Sequence, residues 1–474
     1  VAGPVGESES ALALAEAQAA GVLPLTSVCN VSCVFCSNRS NPPGVRVFTV
    51  PPRSPAELRA AIQAMAHLDE IVIGESASRI SEGEPLTHPL FDQVVRLVRE
   101  LAPNARLRLT TNGVLLDHRR ARLLAGLGRT RVTLSLNTAS REAFRLLTGC
   151  DHDPRTSVRA LAEAGVEFSA SVVAFPALTG AADIVETVRL LDEHGCRDCR
   201  VFVPAFTSRT RPGTARLFPS RAEVAELVAE ARAAVTMPVT MEPPEVNDLR
   251  AVVAGVKKTS PARRAGIRAG DEIKAVDGRP PRSRVDAFRA CAAALGRRGR
   301  CRLTVASPGD PGEREAIVAR APEDESPDRG SGLVMDRDFD PADGELIFGL
   351  ASRLGARRVV VLTSRLAVRA MTLGLPGALV LAVPSVTFGG SIACAGLLTV
   401  PDFARVLRLA RSSVDETAAG EDAAGFALKP GDALFLPPAA FDSRGLDLLG
   451  RSPAELGPLL PRGVRLVVPG VAVF

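Results

Sequence analysis

Between residues 21 and 236, short apolar runs alternate with longer stretches whose apolar positions recur at helical spacing. The short runs, at 22–28, 70–74, 106–110, 131–136, 167–175 and 200–204, predict strands; the periodic stretches, at 54–67, 90–101, 117–127, 156–164, 181–194 and 220–235, predict amphipathic helices. Strands that each lead into a helix imply a parallel sheet curled into a partial (β/α)6 barrel of the TIM type. Active sites of such sheets lie at the carboxyl ends of the strands.

The pattern then changes. A proline-containing stretch at 237–250 reads as a linker, 251–306 forms a separate segment, and a polar, Pro/Gly-rich stretch at 307–332 reads as a second linker. Alternating helices and strands return over 333–474, with buried-type strands at 358–362 and 378–383. The expected fold class is α/β: an N-terminal extension (1–20), a partial barrel (21–236), a small β-rich domain (251–306) and a C-terminal α/β domain (333–474).

Length and composition fit this reading, since 474 residues exceed one ordinary core and 46% hydrophobic with 23% charged residues suits a globular chain. No apolar run is both long and charge-free enough to span a bilayer, and the acidic, alanine-rich start has no secretory pattern. A net charge of +5, with arginines interspersed among acids, does not indicate nucleic-acid binding. Nine cysteines are too sparse for a disulfide scaffold, so a cytoplasmic setting and metal chemistry are expected. The chain contains no Tyr or Trp, which leaves cysteine as the natural protein hydrogen-atom donor in any radical chemistry.

The first predicted strand ends in Cys29-Asn30-Val31-Ser32-Cys33-Val34-Phe35-Cys36. Structural zinc wants four protein ligands, and no fourth Cys or His lies nearby; three thiolates can instead hold three irons of a cubane and leave one open. A zinc knuckle with a distant ligand, or plain buried cysteines, is the alternative. This C-x3-C-x2-C spacing, with Phe35 before the last Cys, resembles the signature of the radical S-adenosylmethionine (SAM) superfamily. The resemblance implies a 4Fe-4S cluster on Cys29, Cys33 and Cys36. It also implies SAM chelated to the open iron through its amino and carboxylate groups, and an external electron donor such as ferredoxin or flavodoxin. Reductive cleavage of SAM then gives methionine and a 5'-deoxyadenosyl radical that abstracts hydrogen from a substrate, here a peptide, a protein or a small molecule.

Further motifs follow in the family's order. Gly83-Glu84-Pro85 resembles the Gly-Gly-Glu-Pro segment that binds the methionine amino group, with Glu82 in place of the first Gly. Thr111 and Asn112, in Thr110-Thr111-Asn112-Gly113, resemble the Thr-Asn-Gly strand end beside SAM, and Ser135 and Asn137 occupy the place of polar contacts to ribose and carboxylate. The strand ends around 172–176 and 201–204 resemble those that flank adenine. Cys196 and Cys199 form a second C-x2-C, open to three readings: auxiliary cluster, hydrogen-atom donor or ordinary thiols. The five histidines show no metal-binding spacing, and His88 is expected to be structural.

Ser260-Pro261-Ala262, Ala265-Gly266-Ile267, Ala269-Gly270-Asp271-Glu272-Ile273 and Val276-Asp277-Gly278 resemble a PDZ domain, with Asp271 bracing a turn and Ile273 and Val276 in the core. PDZ domains often bind a peptide carboxyl terminus by strand addition. The glycine-bearing loop expected before the first strand is missing from 246–250, so docking within the chain is an equal reading. Phe388-Gly389-Gly390-Ser391 and Ala395-Gly396-Leu397-Leu398-Thr399 resemble an uncharacterised family of C-terminal domains found with PDZ and radical SAM modules. The Gly389-Gly390 turn suits either an anion cradle or a tight turn. Two functional classes follow: a radical SAM enzyme, with methyl or sulfur transfer as a variant, and a PDZ-organised binding or scaffold protein with a structural or vestigial metal site.

Overall fold

A computed structural model describes residues 7–75, 79–320, 330–412 and 426–473. The chain divides into two compact units, one comprising residues up to 40, 46–205 and 210–243, the other 41–45, 206–209 and 244–474.

The first unit is built on six parallel strands, β1 (Glu70–Ile73), β2 (Arg106–Thr111), β3 (Thr130–Ser135), β4 (Glu167–Val173), β5 (Cys199–Phe202) and β6 (Val239–Glu242), adjacent in chain order. Helices α2 (Pro55–Met65), α3 (Phe91–Leu101), α4 (His118–Gly126), α5 (Arg141–Thr148), α6 (Arg155–Ala164), α7 (Ala181–Glu193) and α8 (Arg221–Ala234) connect or flank them. Local signals explain their bounds: Ser54 with Glu57 and Ser220 with Glu223 form capping boxes, while Gly149 and Gly165 end α5 and α6 in the left-handed conformation. Along β2, Leu107 and Leu109 enter a core shared with Val94, Val98, Leu124 and Leu161, and the alternate Arg106, Arg108 and Thr110 take the other face.

Two details differ from the sequence expectation. The predicted first strand at 22–28 makes only a bridge, Val22 to Val72, with Leu23 N donating to Val72 O at 2.8 Å. Its extended chain divides its remaining hydrogen bonds among 50, 53, 83 and 84, so no continuous ladder forms. The sixth strand is instead Val239–Glu242, inside the expected linker 237–250: Val239 and Met241 are buried, and prolines at both ends mask a short strand. The N-terminal segment contributes α1 (Glu7–Ala19), whose Ala13 and Ala17 pack with Phe48, Val50 and Ile80.

The second unit contains two layered modules. The β-rich one comprises β7 (Gly255–Val256), β8 (Glu272–Val276), α9 (Arg284–Arg298), β9 (Arg300–Ala306), β10 (Glu313–Ala319) and β11 (Leu333–Val334), with sheets ordered β8-β9-β10 and β11-β7. Asp271 is buried and accepts from Arg268 N, Ser307 Oγ and Arg314 Nη2, and Ile273 and Val276 lie in the core, as expected. The stretch read as the linker 307–332 includes β10, whose polar alternation hid a half-exposed edge strand. β11, assigned by sequence to the C-terminal domain, pairs antiparallel with β7. A glycine-bearing turn at 330–332, with Gly332 at φ +80°, therefore precedes a PDZ strand after all, supplied from beyond β10.

The C-terminal module orders β13 (Leu379–Val383), β12 (Arg358–Ser364), β14 (Asp432–Phe435) and β15 (Arg465–Val468) in parallel, with β16 (Ala472–Val473) antiparallel at the edge. Helices α10 (Pro341–Arg353), α11 (Arg365–Gly374) and α12 (Val400–Ser412) complete it. The Gly389-Gly390 turn is a close-approach site: Ser391 N donates to Phe206 O and Ser208 N to Phe388 O, and a Cβ on Gly390 would stand 2.2 Å from Phe206 O.

Candidate active site

The cysteine loop leaves the bridge at Val22 and is fixed by backbone hydrogen bonds on both sides. Ser32 N donates to Thr148 O at 2.8 Å and Val34 N to Leu147 O at 2.9 Å, tying it to the end of α5. On the other side Gly83 N donates to Thr26 O and Glu84 N to Val28 O, so the Gly-Glu-Pro turn lies against the residues that enter Cys29. This contact requires glycine, because a Cβ on Gly83 would stand 2.3 Å from Val28 O. Phe35 packs on Phe175, ring centroids 6.1 Å apart, and Phe175 on Phe218 at 5.0 Å, forming an aromatic wall behind the third cysteine.

Cys29 is exposed and Cys33 and Cys36 half-buried, all three as free thiols. Burial, followed by the neighbouring Cys29 and Cys36, pushes the Cys33 thiol up to about 12. Three thiols crowded in this way resist ionising together unless positive charge joins them. Among the described residues no three Cys, His, Asp or Glu side chains close on one point, as ligands of a single ion would.

Glu84 is buried and both of its carboxylate oxygens accept hydrogen bonds from the protein. Oε1 accepts from Leu86 N at 3.2 Å and Thr111 Oγ1 at 2.7 Å, and Oε2 from Asn112 N at 2.7 Å. The structure thus joins Gly83, Glu84 and Pro85 to Thr111 and Asn112, as the motif order implied. Asn112 Nδ2 in turn donates to Asn30 Oδ1 at 2.8 Å, closing the group onto the cysteine loop. Ser135 lies on the face opposite Leu134 and Leu136 and meets Ser171 Oγ at 3.2 Å. Asn137 is mostly buried, its Oδ1 accepting from Val173 N at 2.8 Å, so its carbonyl end braces β3 to β4. His88 is buried between Arg53 O and Leu90 N, the structural role expected.

Two buried polar atoms beside the cysteine loop have no partner among the described residues, the donor Asn30 Nδ2 and the acceptor Glu82 Oε2. SAM's methionyl end carries one carboxylate and one amino group. An orphan donor and an orphan acceptor next to three thiols fit such a ligand.

The strand face opposite the helices has an ion-paired floor. Near the amino ends of the strands, Arg106 pairs with Glu70 at 3.2 Å, Arg197 with Glu167 at 2.5 Å, and Arg131 with Glu167; Arg108 reaches Glu75 at 3.2 Å. Arg200 differs. It stands in register with Ser171 and Thr240, lies 5.4 Å from the Phe202 ring centre, and pairs with no carboxylate among the described residues. Sequence reasoning missed Arg200 and Asn30. The available signals were a lone arginine in an apolar strand and a polar side chain inside the cysteine loop.

Cys196 and Cys199 are fully buried in the core between sheet and helices, at the amino end of β5. Burial raises both thiols, keeping them protonated, and they lie on the strand end opposite the motif residues.

Residues 23–206 match the Radical SAM superfamily and residues 252–306 the PDZ domain family. A GTP 3',8-cyclase from Rhodococcus opacus is 32% identical over 183 residues, covering 36% of this chain and 49% of that one. Another, from Chlorobaculum tepidum, is 33% identical over 135 residues, covering 28% and 38%. The chain thus spans half or less of the length of these two relatives. Among solved structures, SuiB of Streptococcus suis bound to S-adenosylmethionine shares 18% identity at a TM-score of 0.35, covering 47% of this chain and 49% of that one. The family's cofactors are a 4Fe-4S cluster and SAM. This chain carries a radical SAM domain at 23–206 and a PDZ domain at 252–306.

Proposed function

We propose that Cys29, Cys33 and Cys36 hold a 4Fe-4S cluster and that the chain uses it to cleave SAM reductively, starting radical chemistry on a polar, anionic substrate. The observation that carries this reading is the convergence of Gly83, Glu84, Thr111, Asn112 and Asn30 on the three-cysteine loop. Bound there, cluster and SAM supply one-electron cleavage of a carbon–sulfur bond, yielding methionine and a 5'-deoxyadenosyl radical. The chain's own residues position and shield: the Phe35–Phe175–Phe218 wall keeps water from the third cysteine, and Glu84 ties its own turn to the end of β2.

The anionic substrate is inferred from Arg200, an unneutralised guanidinium on a wall whose other arginines have carboxylate partners. The relatives' names carry a triphosphate substrate, which is consistent with that reading. Ser135 and Asn137 are proposed to face the ribose and the methionine carboxylate, Asn137 through its amide nitrogen. For the PDZ module, we propose peptide capture by strand addition on the outer edge of β11, which pairs only with β7 among the described strands. Electrons come from a ferredoxin- or flavodoxin-type donor.

Anaerobic reconstitution tests the reading. About four irons and four sulfides per chain are expected, with 5'-deoxyadenosine released on adding SAM and dithionite and none from Cys33→Ala. Zinc in place of iron, or equal release by the variant, would overturn it and leave the scaffold reading.

A further inference from the structure

We propose that the carboxylate of Glu82, and not that of Glu84, receives the amino group of SAM in this chain. The inference rests on the cluster-and-SAM reading above and departs from the Gly-Gly-Glu-Pro pattern, in which position 82 has no side chain.

Three carboxylates converge at the carboxyl ends of β1 and β2, and they are not equivalent. Glu75 pairs with Arg108 at 3.2 Å and takes a hydrogen bond from Thr110 Oγ1. Glu84 has three donors, one shared oxygen and one single, all supplied by protein, and Arg120 adds a favourable charge at longer range. A further donor at Glu84 has only the remaining acceptor position of Oε2, beside the Asn112 N–H already bound there. Glu82 has only its backbone engaged, its carbonyl accepting from Asn38 Nδ2 at 3.2 Å, and Oε2 is buried with no partner among the described residues.

The placement suits the ligand. Residues 81–84 are bound to 26–28, through Ser27 Oγ to Ser81 O, Gly83 N to Thr26 O and Glu84 N to Val28 O, so Glu82 follows the chain that delivers Cys29. SAM held at a cluster on those cysteines would bring the N–H donors of its amino group to this spot. Burial, then the charges of Glu84 and Glu75, pushes the Glu82 carboxyl up to about 8, the mark of a site short of positive charge and donors. The sulfonium of SAM supplies the charge and its amine the donors.

The test uses the full chain with its cluster reconstituted, and measures SAM and S-adenosylhomocysteine affinity by anaerobic equilibrium dialysis, alongside the electron paramagnetic resonance spectrum of the reduced cluster. Glu82→Gln and Glu82→Gly are each expected to weaken both ligands by about tenfold, the loss typical of a hydrogen bond to a charged acceptor. The homocysteine compound keeps the amine and lacks the sulfonium, so an equal loss identifies the amine as the group recognised. The spectral change on SAM addition is expected to shrink at subsaturating SAM, while iron content and the SAM-free spectrum stay as in wild type. Wild-type affinity in Glu82→Gly, which restores the usual family pattern, would overturn the assignment. So would a loss confined to SAM. Absence of any cluster in wild type would instead sink the underlying reading.

Discussion

Asn112 Nδ2 donates to Asn30 Oδ1 at 2.8 Å across 82 positions of sequence, joining the end of β2 to the middle of the cysteine loop. The same Asn112 donates its backbone N–H to Glu84 and accepts from Val114 N through Oδ1. One side chain thus couples three motifs. Asn112→Ala is expected to destabilise the fold by about 1 kcal/mol, the worth of one or two partly buried hydrogen bonds, and to lower iron retention after reconstitution. Thermal unfolding and iron analysis on the same samples would check both.

Gly83 makes a tight backbone approach to the chain that enters the cysteine loop. A methyl group there meets Val28 O at 2.3 Å, so Gly83→Ala must push the Gly-Glu-Pro turn off the cysteine loop. We expect a cost of about 3 kcal/mol and loss of cluster, with the circular dichroism of the barrel retained. Normal cluster content would show that the turn and the loop are not coupled.

Glu82 makes stability depend on pH in a predictable direction. Its folded-state carboxyl is raised to about 8 from an ordinary value of 4.5, so between those values the folded state holds more protons than the unfolded one. Stability from this group is full below pH 4.5 and lost as pH rises through about 8. Urea midpoints of cluster-free protein at pH 6 and pH 9 are expected to fall with pH in wild type, and to fall less in Glu82→Gln.

Arg200→Gln removes a charge without breaking an ion pair, since no carboxylate among the described residues pairs with it. Stability should change by less than about 1 kcal/mol. Binding of pyrophosphate or GTP as anionic probes should weaken by about tenfold, with SAM affinity unchanged. Equal probe binding in variant and wild type would remove the anionic-substrate reading.

Much of this site was legible before any fold was known. Thiol spacing states its chemistry locally, because ligands within eight residues need no tertiary information to be recognised, and buried strands such as Arg106–Thr111 announce themselves through alternating Leu107 and Leu109. The sixth barrel strand and β11 escaped notice because four- and two-residue strands bounded by Pro or Gly carry too little pattern to separate from loops.

By itself the amino-acid order determined the cysteine triad, the succession of strand-end motifs and the two module types, all of which are encoded in contiguous residues. Only the tertiary structure decided how the carboxylates divide their work. Whether Glu82 or Glu84 has a free oxygen depends on which donors the folded chain brings within about 3 Å, and those donors come from Thr111 and Asn112 on another strand. The same holds for Cys196 and Cys199: their spacing left auxiliary cluster, hydrogen-atom donor and ordinary thiols open, and the fold placed both thiols in an apolar core on the far end of the sheet.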